Sequence, residues 1–210
     1  MPGWQQFVAR NAGRQFQFVS IAVDMAGAEA IRPWVEAAGA TFPTVVDRDN
    51  RLAQLFDYKV VPNGIFLDEA GTIRYQKIGG FSVANADDVD AIQRLIDGEA
   101  ETIETASADA PYHLSATERQ LVETRTRLGA ELFHRGAAAE AVAEWKAALR
   151  LDPLNFTIRK QIWMAEHPER FQPTIDFGWQ QEQLQRERAE EIAAGICGPD
   201  GCPLPRPGQR

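Results

Sequence analysis

Two segments rich in β-branched and aromatic residues, 16–24 and 64–78, most constrain the fold of this chain. The first, FQFVSIAVD, is typical of a buried strand, and the second contains two short strands around the turn Glu69-Ala70-Gly71. Helical patterns surround both segments, and Asp49 or Asn50 is predicted to cap the helix that precedes the second. The predicted order is helix, strand, helix, helix, strand, strand, helix, which indicates an α/β domain over residues 1–98.

Charge and hydropathy limit the partners of the chain. Its net charge is −8, and no cluster of lysine and arginine with interleaved aromatic residues is present, so we expect no nucleic-acid partner. No apolar run approaches the roughly 18 residues of a membrane-spanning helix. The first ten residues do not resemble a signal peptide, which by itself indicates a cytoplasmic protein. Localisation stays open if the coding sequence begins further upstream.

The remaining residues divide into three predicted regions. Residues 99–114 are acidic and rich in Ala, Ser and Thr without periodicity, which is typical of a linker. Residues 115–171 are predicted to be helical. Residues 172–210 are predicted to form a charged helix and a proline-rich tail that carries both cysteines of the chain.

Small and large residues alternate in segment 122–155 at the spacing of a helical hairpin. The small residues would let two helices approach, the large ones would fill the space between them, and a proline would end the second helix: Gly129, Ala141, Ala148, Leu132, Trp145 and Pro153. The segment resembles one tetratricopeptide (TPR) repeat. Because stable arrays need about three repeats, the hairpin is interpreted either as a cap on the first domain or as a docking or dimerising surface for a protein partner.

Three motifs in residues 1–98 carry a second resemblance. They are FPTVVD at 42–47, LFDYKVVP at 55–62 and IFLDEAGTI at 65–73. In this order and at these spacings the region resembles the thioredoxin superfamily, most closely its TlpA/ResA and AhpC/TSA (redoxin) branches. The fold class predicted for the chain is therefore a thioredoxin-like α/β fold, incomplete at its N-terminus, followed by the TPR-like hairpin and the charged helix.

The resemblance implies an activity and a substrate site. Members are thiol–disulfide oxidoreductases, and a proline in the position of Pro62 follows a cis peptide bond. The backbone beside it, at Val61 and Pro62, pairs with bound substrate as an added strand would. The resemblance also implies that Val61 and Pro62 lie near the start of the first helix. It further implies that segments 16–24 and 64–78 belong to one sheet.

The catalytic C-x-x-C motif of the family is absent from its usual place. It lies on the turn into the first long helix, where the helix N-terminus stabilises a thiolate, and this sequence begins with MPGW just beyond that position. Two explanations stay open: a start codon assigned too far downstream, for example beyond a selenocysteine codon, or a truncated, non-catalytic member. The alternative function is a binding module that uses the TPR-like hairpin.

Cys197 and Cys202 are the only thiols in the sequence. The intervening Gly-Pro-Asp-Gly favours a turn that can bring them to the Cα separation of about 5.5 Å typical of a disulfide. We predict them as a candidate secondary redox pair that exchanges with a protein thiol or disulfide partner. Zinc is a weaker alternative because two cysteines supply half of a tetrahedral site, and a third alternative is that they do no chemistry. No cofactor and no metal are predicted.

Overall fold

The computed structural model describes residues 1–24, 26–48, 50–56, 58–105 and 112–195. It divides the chain into two compact units, Met1–Ala108 and Asp109–Arg210. The described part of the first unit contains both helices and strands, and that of the second contains helices, so the protein is of mixed α/β class. None of the described helices has the length and apolar composition needed to cross a membrane.

The first unit follows the predicted order of elements. Its described helices and strands are α1 Pro2–Arg10, β1 Ser20–Ala22, α2 Ala28–Ala37, β2 Thr44–Val46, α3 Arg51–Phe56, β3 Gly64–Leu67, β4 Ile73–Lys77 and α4 Ala86–Ile96. The first residues of the predicted linker lie beside β4. The N–H of Ile103 donates to the carbonyl of Arg74 (2.9 Å), and the hydroxyl of Thr105 donates to the carbonyl of Gln76.

The strands form two separate pairs in the described part of the unit. β1 and β2 are parallel, with Ile21 beside Val45, and β3 and β4 are antiparallel, with Gly64 opposite Lys77. The prediction that segments 16–24 and 64–78 share one sheet is therefore wrong for these residues. β1 is also shorter than predicted, because an apolar sequence becomes a strand only where a neighbouring strand pairs with its backbone.

An aromatic core joins α1 and α4 to the β3–β4 hairpin. Its buried members are Phe7, Tyr75, Phe81, Ala91, Ile92 and Leu95. Trp4 stacks on Phe81 with ring centroids 4.8 Å apart and also contacts Phe18 at 5.6 Å. The first turn of α1 is thus packed against the segment that follows β4.

Asp47, at the end of β2, caps helix α3. Its carboxylate oxygens accept hydrogen bonds from the N–H groups of Arg51 and Leu52, each at 2.8 Å. Neither residue predicted for this role can be assigned to it: Asn50 has a positive φ of 54° and its buried Oδ1 has no partner in the described residues, whereas Asp49 lies outside them.

The second unit contains a helical hairpin and two further α-helices in its described part. The elements are α5 Ala116–His134, α6 Ala138–Leu151, α7 Phe156–Glu166, a short 3₁₀ helix Pro168–Arg170 and α8 Phe177–Ala193. α5 begins with a reciprocal capping box between Ser115 and Glu118, which satisfies two backbone donors of the first turn. Arg159, which is 2% exposed, holds α8 against α7 through ion pairs with Glu187 and Glu191.

Candidate functional site

The loop between α3 and β3 carries Val61 and Pro62, the two residues predicted to contact substrate. The Val61–Pro62 peptide bond is cis, as expected from the sequence. Pro62 is exposed and Val61 is half-buried. Two main-chain carbonyls of the loop are hydrogen-bonded: that of Val60 accepts from the Asn63 side chain, and that of Pro62 accepts from the N–H of Phe81 at 3.2 Å.

The backbone of Val61 itself has no hydrogen-bond partner among the described residues. Its N–H and C=O lie next to an exposed proline, which has no N–H of its own to compete for a ligand. A main-chain amide and carbonyl of one residue that reach the surface can pair with the main chain of an extended peptide, as a sheet edge does. Val61 therefore offers one main-chain donor and one acceptor that no described residue uses.

The side chain of Asn63 ties the loop to the segment after β4. Its Nδ2 donates to the carbonyl of Val60 (2.7 Å), and its Oδ1 accepts from the N–H of Gly79 (2.7 Å). Gly79 has a φ of +76°, and a Cβ there would meet Val60 Cγ1 at 3.3 Å. Only glycine adopts this backbone conformation freely at such a close approach.

Phe81 connects the loop to the start of α1. Its N–H bonds to Pro62, and its ring stacks on Trp4. A Cβ at Gly64 would lie 2.5 Å from the same ring, so the beginning of β3 also requires glycine. Phe81 therefore contacts both Pro62 of the loop and Trp4 in the first turn of α1.

A buried ion pair fixes the segment that carries Gly79 and Phe81. Asp88, on α4, is 2% exposed and accepts hydrogen bonds from Lys77 Nζ (2.5 Å), from the N–H of Ser82 (2.9 Å) and from the Tyr75 hydroxyl (3.4 Å). Burial opposes the charge of Asp88, but the hydrogen bonds outweigh it and lower the pKa of this carboxyl below its ordinary value. The carboxylate thus stays ionised and holds both ends of the segment.

The outer edge of β1 has no strand beside it in the described residues. Ser20 donates its N–H to Pro43 and Ala22 accepts from Asp47, so both direct their backbone toward β2. Successive residues of a strand alternate, and Ile21 therefore directs its N–H and C=O to the open edge. On the adjoining face the apolar side chains of Val19, Ile21 and Val45 are 46–51% exposed.

The two cysteines predicted as a secondary redox pair, Cys197 and Cys202, lie outside the described residues. In the parts of the chain that the structure describes, no group of three or more histidine, cysteine, aspartate or glutamate side chains is placed to hold a metal ion.

The helical hairpin of the second unit presents a candidate protein-binding surface. Trp145, 1% exposed, packs into the space left by Gly129, and its Nε1 donates to the carbonyl of Thr126 (3.2 Å). Leu121 and Leu128 lie two turns apart on α5 and are 40% and 45% exposed. The hairpin therefore has a tightly packed interior and two exposed leucines on one face of α5.

The sequence does not single out the three residues that hold the Val61–Pro62 loop in place, Asn63, Gly79 and Phe81. The pair Gly79-Gly80 is visible in the sequence as a break after a strand, and Asn63 follows the predicted cis-proline, but nothing local connects the two positions. No protein-family model, no curated protein and no solved structure matches the chain significantly.

Proposed function

We propose that the first unit is a thioredoxin-like scaffold of the thiol–disulfide oxidoreductase class, and that it docks an extended polypeptide on the backbone of Val61. The observation that carries the proposal is the unpartnered amide and carbonyl of Val61 in the described residues, beside the exposed Pro62. The contact of Phe81 with both Pro62 and Trp4 supports it, because it brings the docking loop next to the start of α1. A thiolate at the N-terminus of that helix would face a docked chain.

The described strands of the first unit form two separate two-stranded sheets. A two-stranded sheet is marginally stable, and both pairs have an open edge in the described residues. One additional strand laid between β1 and β3 would join them and cover backbone groups such as those of Ile21. In this proposal that strand and the catalytic dithiol belong to a segment outside residues 1–210, as the resemblance implies.

The proposed reaction is a balanced dithiol–disulfide exchange. A thiolate of the scaffold attacks a substrate disulfide, forms a mixed disulfide and releases one substrate thiolate, which takes up a proton. The second scaffold thiol then displaces the other substrate sulfur. The substrate gains two electrons and two protons, and the scaffold dithiol becomes a disulfide. In this scheme the dithiol form of Cys197 and Cys202 reduces the scaffold disulfide by the same exchange and becomes a disulfide, which an external dithiol such as dithiothreitol reduces again.

The test compares two proteins: the 210-residue chain and a form extended by the in-frame coding sequence that precedes the Met1 codon. Free thiols are titrated, and reduction of insulin by dithiothreitol is followed by turbidity. We expect the extended protein to accelerate the reaction and the 210-residue chain not to do so. A Cys197→Ser, Cys202→Ser double variant of the extended protein should react once and then turn over more slowly.

Two results would overturn the oxidoreductase proposal. One is the absence of catalysis by either protein, with both shown to be folded by circular dichroism. The other is an in-frame stop codon other than UGA directly ahead of Met1, with no strand-like coding region before it. Either result would favour the second candidate function.

The second candidate is a binding module that uses the TPR-like hairpin. The exposed pair Leu121 and Leu128 favours it, because apolar side chains in line on a helix suit a partner helix or a second copy. Sedimentation of the wild type and of Leu128→Lys distinguishes a self-associating surface from a monomer. A concentration-dependent dimer that the substitution abolishes supports this candidate, and a monomer in both contradicts self-association.

A further inference from the structure

We propose that Asn63 is the positioning residue of the docking loop: its carboxamide turns the backbone of Val61 outward to receive an extended polypeptide. The inference rests on the proposed function and adds to it the residue that sets the geometry of the substrate site. Asn63 does not touch the docked chain in this proposal. It acts through the main chain on both sides of it.

The carbonyls of the loop differ in whether they are hydrogen-bonded. The carbonyl of Val60 is held by Asn63 Nδ2, and the carbonyl of Pro62 is held by the N–H of Phe81. The carbonyl between them, that of Val61, has no partner in the described part of the chain. Since the two flanking carbonyls are turned inward and fixed, the peptide units around Val61 are fixed as well.

The carboxamide of Asn63 is chemically suited to both contacts. Both bonds of Asn63 are 2.7 Å long and partly shielded from water, and one needs a donor while the other needs an acceptor. A carboxamide carries both groups on one short side chain. Aspartate at neutral pH keeps the acceptor for Gly79 but has no donor for Val60. Serine has a single oxygen for both contacts, and it is too short to replace the amide nitrogen and oxygen together.

Gly79, the second contact of Asn63, is itself held in place. Gly79 must keep its positive φ of +76° to aim its N–H at Asn63, and the ion pair between Lys77 and Asp88 holds the strand end just before it. The contact between Asn63 and Gly79 is thus linked to the buried carboxylate of Asp88. A change at Asn63 should alter the loop without altering the core.

The experiment uses the full chain labelled with ¹⁵N and a neutral, capped hexapeptide probe, acetyl-Ser-Val-Thr-Val-Ser-Gly-amide. Dissociation constants come from titration of amide chemical shifts, and thermal stability is measured in the same buffer. We expect the probe to shift the Val61 amide of the wild type and Asn63→Asp to bind about tenfold more weakly, the loss of one well-placed hydrogen bond. Asn63→Ser is the second variant if Asn63→Asp does not fold, and we expect a similar loss.

Two controls separate positioning from general effects. Asn85→Asp adds the same charge but keeps the acceptor with which Asn85 caps α4, so its affinity for the probe should equal that of the wild type. Ile92→Val removes one methylene from the core of the first unit, so it lowers thermal stability without removing either hydrogen bond of Asn63. The affinity of Ile92→Val for the probe should also be unchanged. If Asn63 acted only through stability, Ile92→Val would weaken binding as well.

The outcomes distinguish the inference from the function on which it rests. If the probe shifts Val61 in the wild type and binds equally well to both Asn63 variants, the positioning role is overturned and the docking loop stands. If the Ile92→Val control weakens binding as much as Asn63→Asp, the effect is one of stability and the positioning role is again overturned. If the probe leaves the Val61 amide of the wild type unchanged, the proposed docking function itself fails.

Discussion

Trp145 occupies the space that a side chain at Gly129 would need. A Cβ built on Gly129 would lie 2.5 Å from Cδ1 of the indole, closer than real Cβ atoms approach. The indole is 1% exposed and is fixed by its hydrogen bond to the carbonyl of Thr126, so it cannot move aside without losing that bond. The close approach of α5 and α6 thus depends on glycine at one position.

Gly129→Ala should therefore destabilise the second unit. Alanine favours a helix over glycine by about 1 kcal/mol, but overpacking a core typically costs about 1 to 3 kcal/mol and displacement of the indole from Thr126 adds about 1 kcal/mol. We expect a net loss of about 1 to 3 kcal/mol in urea unfolding followed by tryptophan fluorescence. Gly178→Ala is the control: a Cβ there meets its nearest neighbour at 3.6 Å, so stability should stay equal or rise.

The helical hairpin can be predicted from the sequence because its small residues recur at helical spacing. The positions of α5 and α6 and their close packing are therefore encoded locally. The cis bond before Pro62 was expected for a similar reason, since the surrounding motif is contiguous. The hydrogen bond between Asn63 and Gly79 could not be predicted, because the two residues are 16 positions apart and meet only when the β3–β4 hairpin forms. The cap of α3 was missed because Asp47 reaches it from β2, beyond the adjacent positions that local capping rules consider.

Arg159→Met should destabilise the packing of α8 against α7. Arg159 is 2% exposed, pairs with Glu187 and with Glu191 (2.5 Å), and donates to the carbonyl of Pro153 (2.9 Å). Removing it leaves two carboxylates close together without their cation, and loss of one partner of a buried pair costs about 3 to 5 kcal/mol. The free energy of unfolding measured in urea should fall by that amount.

Arg135→Met is the matched control for the arginine prediction. Arg135 pairs with Glu131 one turn away, but both side chains are more than half exposed. Exposed pairs of this kind contribute about 0.3 to 0.5 kcal/mol. A loss at Arg159 no larger than the loss at Arg135 would contradict the structural role assigned to the buried pair.

All three tyrosines should resist ionisation in the folded protein. Burial, reinforced by the charge of Asp47, raises the pKa of Tyr58 to about 12. Burial and the charge and hydrogen bond of Asp88 raise the pKa of Tyr75 to about 12. Burial and the neighbouring Asp152 raise the pKa of Tyr112 further. Since the chain contains three tyrosines, none is left to titrate at the ordinary value of about 10.

The sign of this effect predicts alkaline unfolding. Above pH 10 the unfolded chain releases tyrosine protons that the folded chain retains, so stability should fall as the pH rises from about 10 toward 12. Absorbance at 295 nm should stay low through pH 10 and rise together with the loss of helical circular dichroism. A tyrosinate signal near pH 10 in a protein that is still folded would contradict the burial of these hydroxyl groups.

Asp88→Asn should change the response of the first unit to acid. Burial opposes ionisation of Asp88, but its bonds to Lys77 and Ser82 lower its pKa on balance, so the ionised form stabilises the folded state. That stabilisation is complete above the unfolded value of about 3.9 and is lost as the pH falls through the folded pKa. The variant should be less stable than the wild type by about 1 to 3 kcal/mol at pH 7, and the difference should shrink below pH 4.

Asp90→Asn, at an exposed position of the same helix, should cost less than about 0.5 kcal/mol at either pH. A difference between Asp88→Asn and the wild type that is the same at pH 7 and pH 3 would show that the charge of Asp88 does not stabilise the fold.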